Sequence, residues 1–162
     1  KNVIHDKVSG VFTREYIYES LRQRISQRHR SLRKTSLIFI DIDNFKLVND
    51  ELGHKTGDDV LRLLGDILKS KTRQGDIVAR LGGDEFAILL DNIPEAELAG
   101  KAERIAKVIG KVNIDHAGAT LKPSISAGFT PIEPGIKPSE LLLRADRSMY
   151  AAKQAKGIGP LT

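Results

Sequence analysis

Two aspartates end the run Phe39-Ile40-Asp41-Ile42-Asp43-Asn44-Phe45-Lys46. On a strand, residues i and i+2 point to the same face, so Asp41 and Asp43 can both reach a point beyond the strand's end. A second acidic pair, Asp84-Glu85, follows directly on Gly82-Gly83, a dipeptide that suits a tight hairpin turn. If that hairpin lies beside the first strand, three or four carboxylates meet on one edge of a sheet. Their repulsion is costly unless cations enter the site. Hard oxygen ligands of this kind suit Mg²⁺ or Mn²⁺. The same residues also have a purely structural reading, in which Asp43 caps a helix beginning near Asn44 and Asp84 satisfies the turn. Spacing alone leaves both readings open.

Gly53-His54 and Gly57-Asp58 form the next cluster, with Asn49-Asp50 just before. Glycine lets backbone approach a ligand closely, and an exposed Asp can accept two hydrogen bonds from the N–H groups of a purine. Equally, Gly57-Asp58 is an ordinary helix start and Asn49-Asp50 an ordinary helix end. There is no Gly-x-x-x-x-Gly-Lys and no Gly-x-Gly-x-x-Gly, which argues against a P-loop or a Rossmann dinucleotide site. No Ser or Cys nucleophile stands in a recognisable setting.

These residues need a scaffold, and the chain can build one. It has 162 residues, 40% of them hydrophobic and 29% charged, with no cysteine. Such a composition gives one globular domain with a real core and excludes a disordered, collagen-like or disulfide-stapled chain. No apolar run approaches the ~20 residues of a membrane helix. A cytoplasmic domain is expected, and a chain that opens at Lys1 without Met points to a piece of a longer protein that could itself be membrane-anchored. Apolar residues three and four apart mark helices around Ile17, Leu21 and Ile25, around Val60 to Leu68, around Leu98 to Ile109, and from Pro138 through Met149 to Ala152. Ser36–Asp41, Ile77–Arg80, Glu85–Leu90 and Ser124–Phe129 read as strands, and Val112–Asp115 as a weaker one that Gly118 could join to the last. Helices alternating with a mainly antiparallel sheet predict one α+β domain of two layers. The formal charge of +5 is uneven. Arg22, Arg24, Arg28, Arg30, Arg33 and Lys34 fall in a run with no acid and no Phe, Tyr or Trp, which reads as a solvated helix face and loop, so no nucleic-acid partner is expected.

Arg80-Leu81-Gly82-Gly83-Asp84-Glu85-Phe86 contains the signature of the GGDEF family, the diguanylate cyclases, and the chain resembles that family almost throughout. Asp6 to Arg14 resembles its opening segment, with departures at Val8, Ser9, Val11 and Thr13. Asp41 to Lys46, Asn49-Asp50, Gly53-His54 and Gly57-Asp58 are similar to its successive elements, in the usual order. Ser126-Ala127-Gly128 and Ala145 to Lys153 are similar to its closing strand and helix. At the end the family's usual Gly-Arg-Asn is replaced, since Lys156 precedes Gly157-Ile158-Gly159, and an expected phosphate-contacting Arg is missing.

The resemblance implies a fold similar to adenylyl cyclase and polymerase palm domains. It implies condensation of two GTP into cyclic di-GMP, with pyrophosphate released and Mg²⁺ or Mn²⁺ as cofactor. By the same resemblance Asp41, the Ile42 carbonyl, Asp84 and Glu85 hold metal, and Asp84 and Glu85 are catalytic. Asn49 and Asp58 would read guanine, with His54 nearby, and Phe45, Lys46 and Lys153 complete the substrate site, the two lysines on phosphates. Arg73-Gln74-Gly75-Asp76 stands at the family's offset before the signature and is matched to its inhibitory product site through Arg73 and Asp76. Joining two nucleotides symmetrically needs a second copy, so a homodimer is implied, brought together by sensory or regulatory partner domains. The rival reading is a non-catalytic GTP- or cyclic di-GMP-binding regulatory module.

Overall fold

The computed structural model describes residues 4–27, 34–116, 118–133 and 135–157. Its interior strand β2 (Thr35–Ile42) is buried at every residue. The reason lies in Leu37-Ile38-Phe39-Ile40, a run that is apolar on both faces and so must be covered on both. β2 pairs antiparallel with β4 (Glu85–Asp91) on one side and β7 (Ile125–Pro131) on the other. β3 (Ile77–Arg80) pairs antiparallel with β4, and the two-residue β1 (Phe12–Thr13) runs parallel to β3 at the edge, giving the order β1-β3-β4-β2-β7.

Ile38, Ile40 and Ile42 pack into one core with α3 (His54–Ser70) and α4 (Glu95–Gly110), to which α2 (Phe45–Leu52) adds Phe45. Leu37 and Phe39 pack into a second core with α1 (Arg14–Gln27) and α5 (Pro138–Ala155). The α+β class with a mainly antiparallel sheet flanked by helices therefore stands. The two layers inferred from periodicity become a sheet with a helical layer on each face, because β2 has no polar side to expose. Val60, Leu61, Leu64 and Leu68 form the buried stripe of α3, and Leu141, Ala145 and Met149 that of α5. Pro138 opens α5, where its missing N–H costs nothing.

Two local expectations are corrected. Gly118, at φ +84°, turns β5 (Ile114–His116) back onto β6 (Ala119–Leu121) in a separate two-stranded sheet, rather than joining Val112–Asp115 to the strand that contains Ser126. The β3–β4 hairpin forms, but Gly82-Gly83 is not a two-residue turn. Its loop runs over residues 81–84, with the Leu81 N–H donating to the Glu85 carbonyl at 2.7 Å, and neither glycine has a positive φ. Of the basic run, Arg28, Arg30 and Arg33 lie outside the described residues. Arg24 is not a solvated charge, since it pairs with Asp91. Among the described residues no helix is long and apolar enough to cross a membrane.

Helix α5 sits directly on β7 at Gly128, where an added Cβ would lie 2.3 Å from the Met149 nitrogen and 2.4 Å from the Ala145 carbonyl oxygen. Backbone on both sides leaves nothing that can give way. Gly128→Ala is expected to destabilise the chain by about 2 kcal/mol or more, read as a lower urea midpoint at unchanged slope.

Candidate active site

The last residues of β2 bring the chemistry-bearing groups together. Asp41 lies opposite Glu85 of β4 and Ser126 of β7, and the next residue, Ile42, donates its N–H to the Asp84 carbonyl at 3.0 Å. The hairpin thus lies beside the strand as the sequence requires, with Asp84 and Glu85 carried to the same sheet end.

Asp41 is only 7% exposed. Its Oδ2 pairs with the Nζ of Lys153 from α5, whereas its Oδ1 is buried with no hydrogen-bond partner. Burial pushes the Asp41 carboxyl up to about 7; Lys153 opposes the shift and the neighbouring Asp84 adds to it. Glu85, although its side chain is largely open to solvent, is also held above the usual carboxylate range, by partial desolvation first and then by Asp84 and Asp146.

Asp43 takes a different part. It accepts hydrogen bonds from Ser126 Oγ at 2.7 Å and Ser124 Oγ at 2.5 Å and pairs with Lys156 Nζ at 3.1 Å. Asn44, at φ +55°, is the residue preceding α2, and no side chain caps that helix. Asp43 is therefore neither the helix cap of the structural reading nor a free member of the acidic cluster. Of the three or four carboxylates expected to meet, Asp41 and Asp84 adjoin with Glu85 flanking them. Among the described residues no three acidic or histidine side chains form a metal cage. That arrangement suits Mg²⁺ better than a cage would, because Mg²⁺ is usually held by one or two carboxylates together with water and substrate phosphates. The orphaned Asp41 Oδ1 is the donor such an ion would satisfy, with Asp84 and the strand end at Ile42 beside it.

The second cluster assembles across the α2–α3 junction. Gly53, at φ +89°, turns the chain between the helices and donates its N–H to the Asn49 carbonyl at 3.0 Å. A Cβ at Gly57 would lie 1.9 Å from Asn49 Oδ1 and 3.3 Å from Phe45 Cζ. Glycine is thus required at 57 for Asn49 to reach across to the residue before Asp58. Asp58, His54 and Lys46 are exposed, Asn49 is half-buried, and Phe45 is a buried floor rather than an open contact.

Arg73 and Asp76 lie at the other end of β3 from the Gly82-Gly83 turn, roughly 13 Å away along the strand. The Arg73 N–H donates to Asp76 Oδ2 at 2.9 Å, closing the turn. Both residues line a cleft of about 410 Å³ together with His5, Phe12 and Lys69.

Sequence reasoning missed the guanidinium that holds the signature turn. Arg80 donates to the Gly82 and Gly83 carbonyls at 3.0 Å each and pairs with Asp6 at 3.3 Å. Burial alone would raise the Asp6 carboxyl, but the Ser9 N–H and O–H and the Arg80 charge hold it below its ordinary value. The signal was present, since Arg80 stands two residues before Gly82. Lys156, three residues after Lys153, was likewise visible as a second cation on one helix face.

A family model described as diguanylate cyclase, GGDEF domain, matches residues 3–157. The chain belongs to the GGDEF family. It is 35% identical over 158 residues to the diguanylate cyclase DgcP of Pseudomonas aeruginosa, covering 96% of this chain and 23% of that protein. It is 35% identical over 149 residues to the diguanylate cyclase DgcS of Shewanella oneidensis, covering 91% of this chain and 49% of that one. The chain thus spans less than half of these relatives' lengths. Among solved structures, the GGDEF domain of DgcB from Caulobacter crescentus, in complex with cyclic di-GMP, superposes with a TM-score of 0.90 at 25% identity, covering 96% of this chain and 92% of that one. Diguanylate cyclase SiaD of Pseudomonas aeruginosa, solved with its activator SiaC, superposes with a TM-score of 0.86 at 31% identity, covering 94% and 58%. The GGDEF signature of this chain is the Gly82–Phe86 hairpin just described.

The raised Asp41 carboxyl has a consequence for stability. A group that binds its proton more tightly folded than unfolded stabilises the fold while protonated, and loses that contribution as pH rises from the unfolded value of 3.8 through about 7. In EDTA, Asp41→Asn is therefore expected to stabilise this GGDEF domain by roughly 2 kcal/mol at pH 8 and by little at pH 5, measured by urea unfolding at both.

Proposed function

We propose that this GGDEF chain is a diguanylate cyclase that condenses two GTP into cyclic di-GMP and releases two pyrophosphates. The observation that carries the reading is the partnerless Asp41 Oδ1, buried beside Asp84 at the strand end that also starts the loop into α2. The Asn49–Gly57 contact supports a guanine site, with Asn49 and Asp58 facing the base edge and His54 nearby. A carboxylate that accepts from guanine N1–H and N2–H₂ accounts for choosing GTP over ATP, because adenine leaves such an acceptor unpaired. Lys46, at the first turn of α2, and Lys153 meet the triphosphate.

Mg²⁺ or Mn²⁺ bound by Asp41, Asp84 and the Ile42 carbonyl would activate the attacking 3′-oxygen and neutralise charge on the pyrophosphate. Asp84 or Glu85 accepts the proton of the 3′-hydroxyl, and a Glu85 carboxyl raised by desolvation and by Asp84 is a stronger proton acceptor than an ordinary glutamate. Each chain holds one GTP, so the reaction takes place between two copies facing one another, with regulatory domains of a longer cytoplasmic chain promoting the encounter. Cyclic di-GMP at the Arg73–Asp76 cleft inhibits the enzyme. The exposure of the Arg73 side chain supports an Arg that a ligand can reach, its Nη2 now donating to the Asp91 carbonyl at 2.5 Å.

Incubating the concentrated chain with GTP and Mg²⁺ is expected to yield cyclic di-GMP and pyrophosphate by chromatography. Asp84→Ala and Glu85→Ala are expected to lower the rate about 100-fold or more. Bound GTP with no product, even from a chain dimerised by a fused coiled coil, would instead identify a binding module. In the active chain Arg73→Ala is expected to abolish inhibition by added cyclic di-GMP, and unchanged inhibition would remove Arg73 from the product site.

A further inference from the structure

Asp41 and Asp43 are two acids spaced i, i+2 at a strand end, and Lys153 and Lys156 are two cations spaced i, i+3 at the end of α5. They are paired one to one: Lys153 Nζ on Asp41 Oδ2, and Lys156 Nζ on Asp43 Oδ2 at 3.1 Å. Lys156 also donates to the Ile125 carbonyl of β7, one residue from Ser126, which itself binds Asp43. The Asp43 side chain is only 2% exposed, so its charge must be met inside the protein. Two serine hydroxyls and one ammonium meet it. Gly157, at φ +75°, ends the helix immediately after Lys156, with its N–H on the Gln154 carbonyl at 3.0 Å. This places Lys156 at the C-cap of α5, with its ammonium turned toward β7.

We propose that Lys156 is a positioning residue: it holds the charge of Asp43 so that Lys153 stays at Asp41, where it serves the triphosphate. Without Lys156, buried Asp43 keeps its two serine hydroxyls but loses the ammonium that offsets its charge, and Lys153, three residues earlier on α5 and already at the neighbouring Asp41, is the cation that would compete for it. The substrate lysine would then be drawn off its post by electrostatic competition. Lys156 thus acts through Lys153 and makes no phosphate contact of its own. The inference rests on reading Lys153 as a triphosphate contact, and the test separates the two.

The test measures the Kd of a non-reacting GTP analogue with Mg²⁺, together with the KM for GTP and the melting temperature. The variants are Lys153→Met, Lys156→Met, Lys156→Arg, Asp43→Asn and Asp43→Asn/Lys156→Met. Lys153→Met and Lys156→Met are each expected to weaken analogue binding and raise KM about fivefold to tenfold, and Lys156→Arg to restore both within twofold. The double variant is expected to recover most of the affinity lost in Lys156→Met, because removing the Asp43 charge removes the competition. An affinity unchanged in Lys156→Met, with only the melting temperature lowered, would overturn the proposal and leave a structural ion pair. A double variant no better than Lys156→Met would overturn it in favour of a direct phosphate contact. An affinity unchanged in Lys153→Met would instead remove the reading of Lys153 on which the proposal stands.

Discussion

Carrying two carboxylates into the end of a fully buried strand is the constraint around which this domain is arranged. A buried charge without compensation costs several kcal/mol. Each aspartate is compensated differently. Asp43 is completely provided for, by Ser124, Ser126 and Lys156. Asp41 is half provided for, by Lys153 on one oxygen, with the other left bare. The bare buried oxygen at a sheet end is the ground on which a cation is proposed there, and the same burial is what raises the carboxyl of Asp41. Neighbours two residues apart thus differ in how completely their charge is met.

The β3–β4 hairpin links that site to the rest of the chain. Arg80 ties the Gly82 and Gly83 carbonyls to Asp6, so the opening segment and the signature turn share one guanidinium. At the far end of β3, Arg73 and Asp76 close a turn on which Arg24 of α1 also acts, through the Gly75 carbonyl at 3.2 Å. α1 is thus tied to the turn before β3, and the opening segment to the turn after it, by direct hydrogen bonds. A displacement of α1 would therefore be felt at the Arg73–Asp76 turn through Arg24.

Much of this was legible in the residues. Continuous apolarity made β2 a buried strand, and the i, i+2 spacing placed Asp41 at its end. The stripes of α3, α4 and α5 followed from apolar residues three and four apart, since burying one helix face leaves that period in the sequence. Periodicity could not show that both faces of the sheet are covered, because an apolar run gives no direction to either face. Nor could it show that Asp41 and Asp43 divide their roles. That division is made by residues more than eighty positions away, Ser124, Ser126, Lys153 and Lys156, which no local pattern connects to a strand end. The glycines of the signature were legible as a turn but for an incomplete reason. Neither has a positive φ, and a Cβ at Gly83 would point into open space, so neither backbone conformation nor crowding within the chain requires glycine there.

The central claim is that the bare oxygen of Asp41 is a cation ligand kept partly protonated until the cation arrives. Titration calorimetry of Mn²⁺ into the chain with a GTP analogue at pH 6.5, repeated in buffers of different ionisation enthalpy, counts the protons released on binding. A fraction of a proton released per Mn²⁺, falling toward zero at pH 8.5 and absent in Asp41→Asn along with most of the affinity, is the predicted result. Equal Mn²⁺ affinity in Asp41→Asn, or tight binding with no proton released at pH 6.5, would contradict it.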